Sequence, residues 1–176
     1  MEAYCGDSSQ MYYIRECTLM EGKSKGTRAL QIKNGQGLSM LALSDKCFAI
    51  PEVDFQGINM GFISKTGICA PEFYQEEGTR GFLRNFEAGF LTTCGLTYMG
   101  TPGVEDGQAY GLHGVISNTP AEHVKSEICW EDGPASIVFG GSAREGHLFG
   151  PNMKIHRCFR VSTEENKFWI KDTVEN

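Results

Sequence analysis

The stretch RALQIKNGQGLSMLAL, residues 28–43, places an Asn34-Gly35 pair between two runs rich in apolar residues. The first run, Arg28–Lys33, alternates in the way that is typical of a half-buried strand. The second run, Leu38–Leu43, follows shortly after the turn. An Asn-Gly pair between two such runs is a strong signal for a β-hairpin, because both residues accept a positive φ. The stretch therefore predicts two antiparallel strands.

Strand signals of the same kind continue along the rest of the chain, separated by Gly, Pro, Asn or Asp residues. Glycine is frequent, at 22 of 176 residues, and it favours tight turns over helix interiors. Helical periodicity is present only at residues 71–86, where Gly78 and Gly81 interrupt it. The pattern predicts an all-β sandwich or barrel. Further strands are expected at residues 11–19, 47–50, 58–64, 90–96, 124–130, 136–143, 153–161 and 168–174.

The composition limits the partners of the chain. It carries 16 basic and 22 acidic side chains, a formal net charge of −6, and its basic residues form no cluster in the sequence. Phosphate contacts need localised positive charge, so we expect neither nucleic acid nor an anionic membrane as a partner. The apolar fraction of 40% is enough for the core of one domain. No linker or repeat divides the chain, so we expect a single domain over residues 1–176.

The sequence also predicts a location. Residues 1–13, MEAYCGDSSQMYY, lack a basic stretch followed by an apolar run, so no signal peptide is indicated. The seven cysteines include no CxxC motif, which argues against a zinc knuckle or a redox pair. We therefore expect a cytoplasmic protein with reduced thiols. Cys94, inside an apolar run, is interpreted as a buried small apolar residue.

Motifs for cofactors and metals are missing. Residues 35–37, Gly-Gln-Gly, lack the rest of GxGxxG, and the chain has no P-loop and no GxSxG elbow. The four histidines have no HExxH or HxH spacing, so the sequence predicts no cofactor and no metal. Adjacent carboxylates occur at residues 76–77, 105–106, 131–132 and 164–165. Neighbours on an extended chain point to opposite faces, so these pairs are interpreted as solvated loop charges.

Polar side chains suited to a small ligand gather in a region that has no lysine between residues 65 and 125. Arginine without lysine supplies planar donors that hold hydroxyl or carboxylate groups. Flanking glycines in YGLHG, residues 110–114, let a ligand approach the backbone beside the imidazole. Aromatic faces beside such donors suit a pyranose ring, and a structural turn is the alternative. The candidates are Arg80, Arg84, Asn85, Thr92, Thr93, Tyr110, His113 and Asn118.

Two runs in this region resemble a known family. They are GFLRNFEAGFLTTCGLTYMGTPG, residues 81–103, and GQAYGLHGVISNTPAEHV, residues 107–124. Both are similar to the aldose 1-epimerase-like family, in the DUF4432 branch of the galactose mutarotase superfamily. Residues 26–68 and 143–176 are similar to that family in the same order, so the resemblance covers most of the chain. It implies an all-β supersandwich of large antiparallel sheets, in agreement with the strand pattern.

The resemblance also implies a chemistry. Mutarotases open the hemiacetal ring of a free sugar: a base takes the anomeric hydroxyl proton while an acid protonates the ring oxygen. In the superfamily, histidines serve as acid and substrate-orienting groups, a glutamate is the base, and an arginine contacts sugar oxygens. His113 matches the first histidine motif and is the expected catalytic residue. Arg84 matches the arginine, and Asn118 and Arg80 are expected substrate contacts.

The family's second histidine motif and its glutamate base lie downstream of the segment that resembles residues 171–176. The resemblance therefore implies that this chain is the N-terminal half of a longer protein, inactive alone, with the base missing. We expect exposed sheet edges, with the site completed by a C-terminal half or in a homo-oligomer. Two alternatives stay open: a non-catalytic carbohydrate-binding protein, and a structural domain in which His113 and Arg84 satisfy loop carbonyls.

Overall fold

The computed structural model describes residues 2–130 and 133–176, and most of the ordered elements are antiparallel strands. A short helix, α1 (Glu2–Cys5), precedes a five-stranded sheet in the order β1-β2-β3-β4-β5. Its strands are β1 (Tyr13–Thr18), β2 (Arg28–Lys33), β3 (Leu38–Leu43), β4 (Ala49–Phe55) and β5 (Ile58–Asn59). None of the helices in the described ranges is long and apolar enough to cross a membrane.

A region of short elements follows and leads into a second, four-stranded sheet in the order β10-β11-β12-β13. The short elements are β6 (Phe62–Ile63), α2 (Thr79–Asn85), β7 (Ala88–Gly89), β8 (Gly103–Glu105) and β9 (Gln108–Tyr110). The long strands are β10 (Glu122–Cys129), β11 (Ser136–Gly146), β12 (Asn152–Ser162) and β13 (Phe168–Glu175). The C-terminal strand β13 pairs with β12 and forms one edge of this sheet.

The hairpin predicted from residues 28–43 is confirmed with its boundaries unchanged. The fully buried Asn34 holds its turn. The side-chain Oδ1 accepts hydrogen bonds from the backbone N–H groups of Gln36 (2.8 Å) and Leu38 (2.9 Å). The side-chain Nδ2 donates to the carbonyls of Ser162 (3.2 Å) and Glu165 (3.1 Å). One asparagine therefore closes the first hairpin and ties it to the second sheet.

The two sheets pack face to face around one apolar core, which confirms the predicted β-sandwich. Alternate residues of each strand point inwards, as a half-buried strand requires. Phe48 lies between the sheets and contacts the rings of Phe139 and Phe159, which stack at a centroid distance of 4.5 Å. This packing fixes the position of the chain around Phe48.

Several predicted boundaries are wrong. The strand expected at residues 47–50 begins at Ala49, because Cys47 and Phe48 have left-handed φ angles of 48° and 55°. The strand expected at residues 58–64 splits into β5 and β6, and the helical region reduces to a 3₁₀ turn and α2. The hairpin of β8 and β9 was not anticipated.

The strand expected at residues 90–96 is also wrong, since only Leu91 forms an isolated bridge, to Ile50. Backbone hydrogen bonds join residues 90 and 91 to Ile50 and Gly95 to His113, and side chains hold the middle of the segment. Buried Arg157 donates to Thr93 Oγ1 and to the Cys47 carbonyl (3.1 Å), and it makes a two-point ion pair with Asp172. Bonds of this kind leave no periodic signal in the sequence.

Candidate functional site

Residues 71–120 form an irregular layer against one end of the sandwich. A small apolar cluster, distinct from the main core, joins this layer to the sheets through Ile116, Cys47, Ala143 and Ile155. The helix α2 crosses the layer, and its buried Gly81 lies so close to the Gln75 carbonyl that a Cβ would overlap it. The layer therefore has fixed packing in spite of its few strands.

His113 lies in a tight loop with a left-handed φ of 59°, a conformation that costs a residue other than glycine some free energy. The backbone N–H of His113 donates to the Gly100 carbonyl (3.0 Å), and the His113 carbonyl accepts from Gly95 N–H (3.1 Å). The N–H of Gly100 donates to Nδ1 of the imidazole (3.3 Å). A neutral ring that accepts at Nδ1 carries its proton at Nε2, so His113 presents a donor there.

Aromatic rings surround the His113 loop. The ring of His113 meets the buried Phe82 of α2 edge-on, with the centroids 5.1 Å apart. Tyr110, three residues before His113, stacks on Tyr98 at a centroid distance of 4.8 Å. Both tyrosines are only partly buried. Together the two stacked rings form an apolar wall of the kind that packs against the C–H face of a sugar ring.

Asn118 is connected to the end of α2. Its Oδ1 accepts from the side chain of Asn85 at 3.5 Å, and the Asn85 carbonyl accepts from Lys46 Nζ at 2.9 Å. Lys46 is fully buried and forms an ion pair with the equally buried Glu87, at 2.5 Å. Oε1 of Glu87 has no hydrogen-bond partner among the described residues. A buried polar chain therefore runs from the sandwich to Asn118.

Arg80 and Arg84 lie on the exposed side of α2. Arg84 forms an ion pair with Glu77 at 2.8 Å, and both side chains are more than a third exposed. The two arginines line a cavity of about 590 Å³ together with residues of the preceding turn. His113 and Asn118 do not line this cavity.

The structure thus divides the four predicted residues between two sides of one helix. Phe82 and Asn85 of α2 contact His113 and Asn118, whereas Arg80 and Arg84 line the outer cavity, which Asn85 also lines. Residues three or four positions apart on a helix share a face. Phe82 and Asn85 are three apart and Arg80 and Arg84 are four apart, so each pair shares a face of the seven-residue helix α2. The helix α2 therefore connects the pair His113 and Asn118 with the pair Arg80 and Arg84.

Two carboxylates near the His113 loop have hydrogen-bond partners that the sequence did not predict. Glu76, interpreted as a solvated loop charge, is exposed but accepts hydrogen bonds from Tyr74 Oη (2.5 Å) and Gly78 N–H (2.7 Å). Its carboxylate packs against Gly111, where an added Cβ would lie 2.6 Å from the carboxyl carbon. Burial, together with the hydrogen bond to Glu76, raises the pKa of Tyr74 above its usual range. In the sequence, only Gly111 indicates this contact, because a residue with a Cβ at that position would overlap the Glu76 carboxylate.

The second is Glu145 of β11, which is 5% exposed. Its carboxylate accepts hydrogen bonds from Thr97, in the segment that is hydrogen-bonded to His113, and from Val115, two residues after His113. The strand alternation predicts that position 145 faces inwards. The sequence does not, however, indicate which groups donate hydrogen bonds to the Glu145 carboxylate.

Other expectations concern metals and thiols. Within residues 2–130 and 133–176, no group of three or more His, Cys, Asp or Glu side chains could hold a metal ion. All seven cysteines are free thiols. Cys94 is half-buried, not fully buried, whereas burial raises the pKa of the Cys47 thiol to about 11. The acidic pair at 131–132 lies outside the described residues.

The family comparison decides the relationship. A family model described as "Domain of unknown function (DUF4432)" matches residues 24–176. The chain belongs to the DUF4432 family. No curated protein sequence matches it significantly.

Solved structures support the fold of this DUF4432 protein. It is similar to a provisionally named aldose 1-epimerase from Klebsiella pneumoniae subsp. pneumoniae MGH 78578, with 26% identity and a TM-score of 0.83. That match covers 95% of this chain and 45% of the other. The galactose 1-epimerase from Lactobacillus acidophilus NCFM matches at 14% identity and a TM-score of 0.49, over 87% and 46% of the two chains. The chain thus spans less than half the length of either structure, and the expected galactose mutarotase-like β-sandwich is confirmed.

Proposed function

We propose that the protein acts on the anomeric centre of a free sugar, as a mutarotase does, with His113 as the acid-side residue. One observation carries the proposal. His113 is held in a strained loop and accepts a backbone hydrogen bond at Nδ1, so its neutral ring carries the proton at Nε2, and Tyr110, three residues before it in the chain, stacks on Tyr98. Strain of this kind persists where the surroundings enforce it, and it is concentrated at functional sites.

The chemistry follows from the position of that proton. In ring opening, the anomeric hydroxyl loses its proton, its electron pair forms the C1 carbonyl, and the bond from C1 to the ring oxygen breaks. Negative charge then develops on the ring oxygen, where a donor stabilises it. The Nε2–H of His113 suits this donor role, and closure on the other face of the carbonyl gives the other anomer. We assign no residue of this chain as the base.

The remaining predicted residues have defined places in the proposal. The Asn118 side chain is half-buried and supported by Asn85, so it is suited to a directed hydrogen bond to a sugar hydroxyl. Arg84 must leave Glu77 before it contacts a sugar, and this exposed ion pair contributes little stability. Arg80 and Arg84 are therefore proposed as outer contacts, reached across α2. The free thiols of all seven cysteines support a cytoplasmic location as part of the same proposal.

The test compares the wild type with His113→Asn, because asparagine tolerates a left-handed φ and removes only the imidazole. We expect the wild-type protein at its natural length to accelerate exchange between the α and β anomers of a free aldose in NMR magnetisation-transfer spectra. His113→Asn should lower the rate at least about tenfold, as expected when an acid–base group is removed. Thermal melts of both proteins check that folding is retained.

A wild-type rate equal to that of His113→Asn, across a panel of hexoses, pentoses and sugar acids, would contradict the proposal. The matched control is His147→Asn. His147 is hydrogen-bonded to Gln108 on the exposed surface, and no hydrogen bond in the described part of the chain joins its ring to the His113 loop. Its substitution should leave the exchange rate unchanged.

A second candidate is a carbohydrate-binding protein without catalysis. The observation that favours it is that both carboxylates near the His113 loop, Glu76 and Glu145, already accept structural hydrogen bonds. A carboxylate occupied in this way is poorly placed to take a proton from a sugar. This candidate predicts saturable sugar binding by calorimetry, lost in His113→Asn, with no acceleration of anomer exchange.

A further inference from the structure

Glu145 lies near the C-terminal end of β11, on the side of the strand that carries Ile137, Phe139 and Ala143 into the interior. It is 5% exposed and has no ion-pair partner in the described part of the chain. Oε1 accepts hydrogen bonds from Thr97 Oγ1 (2.6 Å) and Val115 N–H (3.3 Å), and Oε2 accepts from Thr97 N–H (3.3 Å). Three donors therefore stabilise one buried carboxylate, in the way a buried charge requires.

These donors come from the two segments that hold His113. The segment that begins at Gly95 and ends at Gly100 makes three hydrogen bonds with His113: two with its backbone and one with Nδ1 of its ring. Thr97 lies inside that segment, and Val115 follows His113 by two residues. Glu145 thus fastens both halves of the His113 loop to a strand that pairs over its whole length with β12.

The packing between the carboxylate and the loop is close. Gly114 has a φ of 70°, and an added Cβ there would lie 3.0 Å from the Tyr98 carbonyl oxygen and 3.3 Å from Oε1 of Glu145. The loop therefore rests directly on the carboxylate. The left-handed conformation of His113 is unfavourable by itself, so it needs such external support to persist.

We propose that Glu145 is the positioning residue of His113, which fixes the loop conformation and keeps the imidazole in the tautomer protonated at Nε2. Thr97 is the main link, because it gives the carboxylate two of its three hydrogen bonds and lies three residues before Gly100. Loss of these bonds frees Gly100 N–H to move away from Nδ1. The consequence for catalysis rests on the proposed function, whereas the consequence for the tautomer does not.

The experiment measures the tautomer of His113 by ¹⁵N NMR in the folded protein, alongside kcat and KM for anomer exchange. In the wild type we expect a single tautomer with the proton at Nε2. Glu145→Gln, whose amide NH₂ cannot accept a hydrogen bond, should populate both tautomers. It should lower kcat about tenfold with KM changed less than about twofold, as expected for a displaced supporting group. Thr97→Val should do the same, and Thr97→Ser, which keeps the hydroxyl, should restore the wild-type signal.

The control is Asn34→Ala, which removes a buried side chain with four backbone hydrogen bonds at the turn between β2 and β3. It should lower stability and leave the His113 tautomer unchanged. A wild-type tautomer in folded Glu145→Gln would overturn the proposal, and if that variant does not fold, the same result in Thr97→Val would overturn it. If Glu145→Gln shows both His113 tautomers but the wild-type protein does not accelerate anomer exchange, the positioning role of Glu145 is upheld and the proposed function is refuted.

Discussion

The two buried carboxylates, Glu145 and Glu87, differ in the groups that compensate their negative charge. Glu145 has three donors and no cation, whereas Glu87 has one cation, Lys46, and an oxygen without a partner. A buried ion pair adds little net stability compared with apolar residues, but removal of one partner leaves a desolvated charge. The pair of Lys46 and Glu87 therefore serves to hold the end of α2, through the Asn85 carbonyl, more than to stabilise the fold.

This leads to a prediction for the ion pair. Lys46→Met should lower the free energy of unfolding by about 3–5 kcal/mol, because it leaves the Glu87 carboxylate buried without its cation. The double variant Lys46→Met/Glu87→Leu should recover most of that loss, since no buried charge remains. Urea unfolding followed by tryptophan fluorescence measures both values. A loss below about 1 kcal/mol in Lys46→Met would indicate that water reaches the pair, in the range of an exposed ion pair.

At the scale of elements, the hairpins differ in how well their turns can be predicted from the sequence. The Asn34-Gly35 turn was predicted because its residues and both flanking strands follow a known pattern. The turn between β4 and β5 consists of Gln56 and Gly57, with φ angles of 53° and 83°, and was not predicted because glutamine is uncommon there. The segment at 90–96 was misassigned because its backbone pairs with a strand only at residues 90 and 91, whereas Thr93 is held by the Arg157 side chain in place of a ladder.

Two glycines in these turns provide a matched pair. Gly35 and Gly57 have nearly equal φ angles, 84° and 83°, but only Gly35 faces backbone, with a Cβ position 2.9 Å from the Met11 carbonyl oxygen. Gly57→Ala should destabilise by about 1 kcal/mol, the cost of a left-handed alanine. Gly35→Ala should cost about 1–3 kcal/mol more, because the strain of overpacking is added. Equal losses in urea unfolding would show that the first turn relaxes away from Met11.

At the scale of the molecule, the sequence predicted the sandwich, but it did not predict how the candidate site residues are arranged around α2. His113 and Asn118 lie on one side of α2 and Arg80 and Arg84 on the other, and no spacing in the sequence distinguishes these groups. The supporting residue Glu145 is 32 positions away from His113 and becomes its neighbour only through the packing of β11. Long-range contacts of this kind depend on the fold.

The exposed edge of the second sheet belongs to the same scale. The strand β13 has half-exposed Trp169 and Val174 side chains, and its outer edge pairs with no other described strand. Unpaired edges of this kind are surfaces for association.

The four histidines, spread over the molecule, provide the most direct test of a sugar site centred on His113. The measurement is ¹⁵N NMR of the histidine rings while a free aldose is titrated into the protein at its natural length. We predict a saturable change at Nε2 of His113 and constant signals from the other three, including His156, which contacts Ser142 and Glu175. Sugar binding that leaves the His113 signal unchanged, or that alters another histidine in its place, would contradict the account.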